Sequence, residues 1–380
     1  MKYRVLVVGA YGTFGRLICH ELVKDPVVEL VVAGRSLEKA EAFCELLLDY
    51  DPVNLPFAVA IDLNERRLIE SLSEVHPDLL INTCGPFQLR DYRVAEACIE
   101  FGVNYIDLAD GRDFVNNFSS LDASAKKHQV LCVSGASTVP GVSSAVVDKY
   151  AVDFSKIDSI NIAISPGNKS ERGLATVAAI LSYTGKPFDV WSKGKWQKKF
   201  GWMNSQKIQF GPLVGERWVA NVDVPDLAIF PARYKAINQV SFQAGLELPL
   251  LHHAMTFMAK LAKMGVINNW HPWSRQCLAL SNLFRFWGSD NGGMIVDIIG
   301  KKVADKRLGN NQQKSETVRW ILDAGQNSGP KVPAASAIIL TGKLARGEIE
   351  LCGALPCVGL FSLEEFESLV RSWGIHTYAE

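Results

Sequence analysis

The sequence predicts an α/β protein: a doubly wound parallel sheet followed by a second, α+β domain. Three observations lead there. Up to about residue 135, six short apolar runs alternate with longer amphipathic helical patterns. A glycine-patterned turn follows the first apolar run directly. Beyond Gly135 the rhythm changes to alternating runs mixed with helices.

The predicted strands are 4–8, 30–33, 58–61, 79–82, 105–108 and 130–134. Their near-continuous Val, Leu and Ile content suits strands buried on both faces. Helical periodicity falls between them at 14–24, 37–48, 65–74, 92–101 and 116–127. Strands separated by helices are βαβ units, and right-handed crossovers wind them into one parallel sheet. The second domain has strand candidates at 159–165, 218–222 and 295–299, and helices at 142–150, 174–183, 252–264 and 273–286. Two more helices are expected at 334–346, stopped by Gly347, and at 363–373. The latter carries a capping box of Ser362 and Glu365.

Composition narrows the function. Hydrophobic residues make up 48% and charged residues 21%, which argues for a packed core. Forty basic and 40 acidic residues cancel, so no excess charge is present to hold nucleic acid. The eight cysteines form no C-x-x-C pair and sit partly in apolar runs, as reduced thiols of a cytoplasmic protein would. The seven histidines lack metal-ligand spacing, so no metal is expected. Lys2, Arg4 and the run 5–10 read as a first strand rather than a signal peptide. No apolar run approaches the ~18 residues of a membrane span. The basic cluster 193–199, interleaved with Trp191, Trp196 and Phe200, reads as a solvated hairpin.

Gly9-Ala10-Tyr11-Gly12-Thr13-Phe14-Gly15 stands between the first strand and the first helix. This is a G-x-x-G-x-x-G variant of the dinucleotide fingerprint of a Rossmann domain. Gly9 serves a tight turn, Gly12 a close backbone approach to pyrophosphate, and Gly15 close helix–strand packing. The pyrophosphate would rest on the free N–H groups of the helix start, from Tyr11 to Gly15. About 20 residues further on, where an NAD site usually carries an acid for the ribose 2′-OH, the second strand ends in Arg35-Ser36. A guanidinium fits a 2′-phosphate, so the expected cofactor is NADP(H) ahead of NAD(H). Asp62, after the third strand, is a candidate for the adenine amino group or a helix cap. Cys84-Gly85-Pro86-Phe87, after the fourth, is placed to meet the nicotinamide end.

Asp107 and Arg112 flank the end of the fifth strand, and Ser137, Thr138 and Gly141 follow the sixth. These are the expected substrate contacts, with Gly141 opening a helix that would attract a carboxylate. Asp110 is the candidate catalytic acid or base. The second domain's candidates are Gly167 to Gly173 and Gln243-Ala244-Gly245.

On the fingerprint, Ala33-Gly34-Arg35, Asn82 to Phe87, Tyr105 to Asp110 and Pro140-Gly141, the sequence resembles the saccharopine dehydrogenase-like oxidoreductases. A weaker match covers Gly353 to Gly359. The resemblance implies NAD(P)-dependent oxidation or reduction of a carbon–nitrogen bond in an amino-acid-derived small molecule, through an imine. It also implies a Rossmann domain (1–140 with 332–380) completed by C-terminal helices that return to it. Inserted between would lie a substrate and oligomerisation domain (141–331), through which a homodimer is expected. Val139 stands where glutamate-forming family members carry Asp, which points away from saccharopine itself.

Two other readings stay open. One is a non-catalytic NADP(H)-binding sensor or scaffold. The other is a membrane-peripheral protein, based on Asn268 to Trp273 leading into 277–287, rich in Leu, Phe and Trp with Arg275 and Arg285. For that stretch an oligomer contact or a buried helix is preferred.

Overall fold

The computed structural model describes residues 2–63, 68–88, 90–303 and 315–380. The chain divides into two compact units, Met1–Gly141 with Lys331–Phe361, and Val142–Pro330 with Ser362–Glu380.

The first unit is built on seven strands, all parallel. Six come in chain order: β1 (Tyr3–Val8), β2 (Val28–Gly34), β3 (Phe57–Ala60), β4 (Leu79–Asn82), β5 (Asn104–Asp107) and β6 (Leu131–Ser134). The seventh, Gly353–Pro356, arrives from near the chain end and pairs with β6. Across the sheet the order is β3-β2-β1-β4-β5-β6 and then Gly353–Pro356. The order reverses between β1 and β4, the point where doubly wound sheets open a ligand crevice. Val8 is in register with Ala33 on one side and Asn82 on the other, so three strands end level there. Val5 to Val8 are buried, as strands covered on both faces require.

Helix α1 (Thr13–Leu22) buries Ile18, Cys19 and Leu22 and packs against the helix Val332–Ala345. The helix expected at 65–74 is described as Leu68–Val75, and residues 64–67 lie outside the described residues. The helix expected at 116–127 is instead two short helices, Arg112–Asn116 and Asp122–Lys127, split by a 3₁₀ turn.

The second unit carries a mixed sheet of β7 (Phe154–Ser165), β8 (Pro187–Ser192), β9 (Lys195–Phe200), β10 (Gln206–Gln209), β11 (Glu216–Asn221), β12 (Gln239–Ala244), β13 (Gly292–Lys302) and β14 (Ser315–Ala324). Counting Gly353–Pro356 as β15, its last strand is β16 (Ile375–Ala379). The order is β10-β11-β12-β7-β13-β14-β16, with the β8–β9 hairpin beside β12. Among the described strands of this sheet, only β12 and β7 pair in parallel. The basic cluster 193–199 is thus a hairpin, closed by Trp191 opposite Trp196.

One boundary differs from expectation. Everything from 332 onward was expected to complete the first domain, and the helix Val332–Ala345 with β15 does so. Residues from Ser362 do not: β16 pairs with β14, and the helix Leu363–Arg371 lays Phe366 on the buried Trp320. The Trp320 indole donates to Glu367 at 3.1 Å. The capping box forms as expected, Ser362 accepting from the Glu365 backbone and Glu365 from that of Ser362.

Candidate functional site

The site begins where β1 ends. Gly9 adopts φ +80°, the left-handed region, and turns the chain out of the strand. A side chain there would also strike the β4 loop, since its Cβ would lie 2.6 Å from Thr83 Oγ1. Thr83 Oγ1 donates to Val8 O at 2.9 Å, tying the two loops across the switch point. Gly15 is confined in another way: a Cβ would sit 2.2 Å from Gly9 O. Helix and strand therefore touch backbone to backbone.

Gly12 is the exposed N-cap of α1, with no side-chain cap and no acid in the first turn. By helix geometry the N–H groups of Thr13, Phe14 and Gly15 have no acceptor within the helix. A bare, uncontested helix start behind a glycine turn fits a pyrophosphate. Tyr11 takes a structural role. Its ring lies over Gly34, and its hydroxyl accepts from the Ser36 backbone N–H at 3.2 Å. Ser36 in turn caps the helix Leu37–Leu47 by accepting from Lys39 N–H.

Arg35 projects from the end of β2 and is exposed. It and Arg90 lie close enough to Cys84 to pull its thiol down, while Asp62 pushes it up. Burial by surrounding atoms outweighs the two arginines and raises the thiol to about 11, although the residue reaches the surface. Arg35, Asp62, Cys84 and Arg90 therefore share one electrostatic neighbourhood around the crevice. A 2′-phosphate fits that neighbourhood through Arg35, with Arg90 as a second cation.

In the β4 loop, buried Asn82 accepts from the Cys84 N–H and donates to the Tyr105 hydroxyl. The Gly85–Pro86 peptide is cis. Phe87 is 5% exposed and packs against Phe114, so it underpins the loop from the core.

The expected substrate contacts separate into two groups. Asp107 is fully buried at the end of β5. One oxygen accepts from the N–H of Ala109 and of Gly135 and from the Ser134 hydroxyl, each at 2.9 Å. Burial raises its carboxyl to about 6, against the pull of those bonds. Asp107 thus clasps β5 to β6 through one of its oxygens. Gly141 is enclosed as well. It is buried under Ser336 and Cys357, and the helix it was expected to open starts at Ser143. Ser137 and Thr138 are half-buried, the former with its carbonyl bound by the Ser336 hydroxyl at 2.8 Å. Arg112 opens its short helix half-buried.

Asp110 keeps partial solvent access. Crowding raises its proton affinity, opposed by the Gln88 amide, which donates to it at 3.0 Å. Gln88 Oε1 is buried with no hydrogen-bond partner among the described residues. A carboxyl with raised proton affinity at a strand end can hold or take a proton. Gln88 and Arg90 escaped the sequence reading because they follow the strand in a loop with no periodicity.

In the second unit, the loop from Gly167 is fastened rather than open. Asn168 donates through its backbone to Glu247 and through its side chain to Phe284 O and Trp287 O. Glu247 also pairs with Arg217 at 3.0 Å.

Residues 5–133 match the family described as saccharopine dehydrogenase NADP binding domain. The N-terminal part of this chain is thus similar to the NADP-binding domain of that family. A lipid droplet localized protein of Caenorhabditis elegans is 27% identical over 36% of this chain and 33% of its own. A probable mitochondrial saccharopine dehydrogenase-like oxidoreductase of Arabidopsis thaliana is 25% identical over 31% of this chain and 28% of its own. The matched stretch thus spans about a third of each relative. Among solved structures, an amine dehydrogenase from Mycobacterium smegmatis overlaps 94% of this chain and 95% of its own at 11% identity and a TM-score of 0.47. GenD2 from gentamicin A biosynthesis, in complex with NAD, overlaps 100% and 96% at 12% identity and a TM-score of 0.43. Among the described residues no helix is long and apolar enough to cross a membrane.

Proposed function

We propose that the protein is an NADP(H)-dependent oxidoreductase that acts on a carbon–nitrogen bond of a small, amino-acid-derived substrate. One observation carries the reading: Asp110, a carboxyl held by the Gln88 amide and shifted toward its protonated form by burial, stands at the same carboxyl edge as the glycine cradle. When bound, the nicotinamide exchanges a hydride with the substrate carbon. Gly9, Gly12 and Gly15 admit the pyrophosphate, and Arg35 pairs with the 2′-phosphate and selects NADPH over NADH. Asp110, oriented by Gln88, supplies or removes the proton on nitrogen. Gly85 and Pro86 bound the nicotinamide end.

The reading is tested by titrating the protein with NADPH and NADH beside Arg35→Ala, then screening imines and amino acids for NADPH turnover. Tight NADPH binding with turnover that falls in Asp110→Asn supports it. A non-catalytic NADP(H) sensor is the second reading, favoured by the burial of Asp107 within its own sheet edge. Tight NADPH binding with no turnover across the screen selects the sensor, and binding of neither nucleotide removes both.

A further inference from the structure

The second unit carries an apolar surface that neither the cofactor site nor the sheet uses. The helix Pro249–Lys263 leaves Leu250 and Phe257 exposed, and Met264 follows at its C-terminal end. These three are seven residues apart, two helical turns, and so share one face. The helix Ser274–Leu283 and its flanks expose Trp273, Leu280, Leu283, Phe286 and Trp287, from 51% for Trp273 to 87% for Phe286. This overturns the expectation of a buried helix. Scattered exposed apolar residues are ordinary, but a concentration like this marks a contact.

The two helices belong to one structure. The Trp270 indole of the connecting turn donates to Met258 O at 2.9 Å. The second helix packs on the helix Leu174–Tyr183, and Gly185, just beyond, lies directly against Ala259 of the first.

Charge identifies the occupant. From Leu248 to Ser289 there is no Asp or Glu, while Lys260, Lys263, Arg275 and Arg285 are all exposed. Lys263 sits over the Phe200 ring at 4.3 Å, which brings the β9 end of the basic hairpin alongside. A second copy of the chain would meet this face with itself if the contact were two-fold, setting cations against cations with no carboxylate in the segment to relieve them. Anionic headgroups satisfy those cations, and the acyl boundary receives Leu, Met, Phe and Trp. We propose that residues 250–287 form a docking face for an anionic lipid surface.

The test is co-sedimentation of the full chain with phosphatidylcholine vesicles, with and without phosphatidylserine. The wild type is expected to pellet with the serine-containing vesicles, and less so as salt is raised. Phe286→Ser with Trp287→Ser removes most of that binding. Lys260→Glu with Arg275→Glu cuts the preference for phosphatidylserine about tenfold or more. All four side chains are exposed, so unchanged melting temperatures are expected in both variants. A wild type that pellets with neither vesicle overturns the proposal. If that protein also scatters light as a dimer, and the Phe286/Trp287 variant as a monomer, a second copy covers the face instead.

Discussion

The two sheets use similar residues under opposite rules. In the first, every strand is parallel and short, and β1, β2 and β4 are buried on both faces. In the second, β7 and β13 run for 12 and 11 residues and alternate between buried and accessible positions. One face of that sheet is a layer of polar side chains bonded to each other. Ser241 and Gln239 both donate to Asn161 Oδ1, at 2.6 and 3.1 Å, and Arg319 chelates Asp297 at 2.6 and 2.7 Å. These residues line a cleft of about 760 Å³. A doubly covered sheet puts its chemistry at the strand ends, whereas a half-covered one displays it along the strands.

The comparison breaks hardest at the glycines and the tryptophan. Gly15→Val forces a side chain into the Gly9 carbonyl, and a loss of about 3 kcal/mol or more is expected in chemical denaturation, with NADPH binding abolished. In the other unit, Trp320→Ala empties a buried indole site and is expected to cost about 3–5 kcal/mol. Its packing lies within the second unit, so calorimetric titration should find NADPH affinity unchanged.

Asp107 distinguishes a structural carboxylate from a functional one. Its folded value of about 6 lies above the unfolded one, so the folded state holds the extra proton between about pH 4 and 6. Stability from this group is present below pH 4 and is lost as pH rises through 6, by up to about 3 kcal/mol. Unfolding curves of Asp107→Asn across that range should lack this slope. Arg35→Ala is expected to weaken NADPH binding about 10- to 100-fold, roughly 1.5–3 kcal/mol, and to leave NADH binding nearly intact. Smallest are the caps. Ser36→Ala and Ser362→Ala should each cost about 1 kcal/mol, one in each unit, by thermal unfolding.

The first sheet was legible because double burial writes an unbroken apolar run. β4 falls where it was read, at Leu79–Asn82, and the other five agree within two residues at each end. β15 was missed, because Gly353-Ala354-Leu355-Pro356 is a run with two strand-breaking residues that only pairing with β6 makes a strand. In the second sheet, β10 and β12 were missed for a different reason. Gln206–Gln209 carries a single apolar residue, Ile208, and Gln239–Ala244 interleaves Val240, Phe242 and Ala244 with polar residues over only six positions, too short a run to stand out. At the site, residue type located the cradle and Arg35, because glycine and arginine act there through backbone room and charge. Burial was not legible: Asp107, the last residue of β5, and Asp110, in the loop after it, stand three apart, yet only Asp110 reaches solvent.

The late arrival of β15 bears on how the chain is made. The outer edge of β6 is complete only once residues 353–356 exist, after the ribosome has produced nearly all of the second unit. At ordinary elongation rates that leaves the edge unpaired for roughly 10–45 s. The nascent protein therefore carries an open, apolar strand edge while the residues between β6 and β15 are made, the kind of surface on which chaperones act and truncated products aggregate.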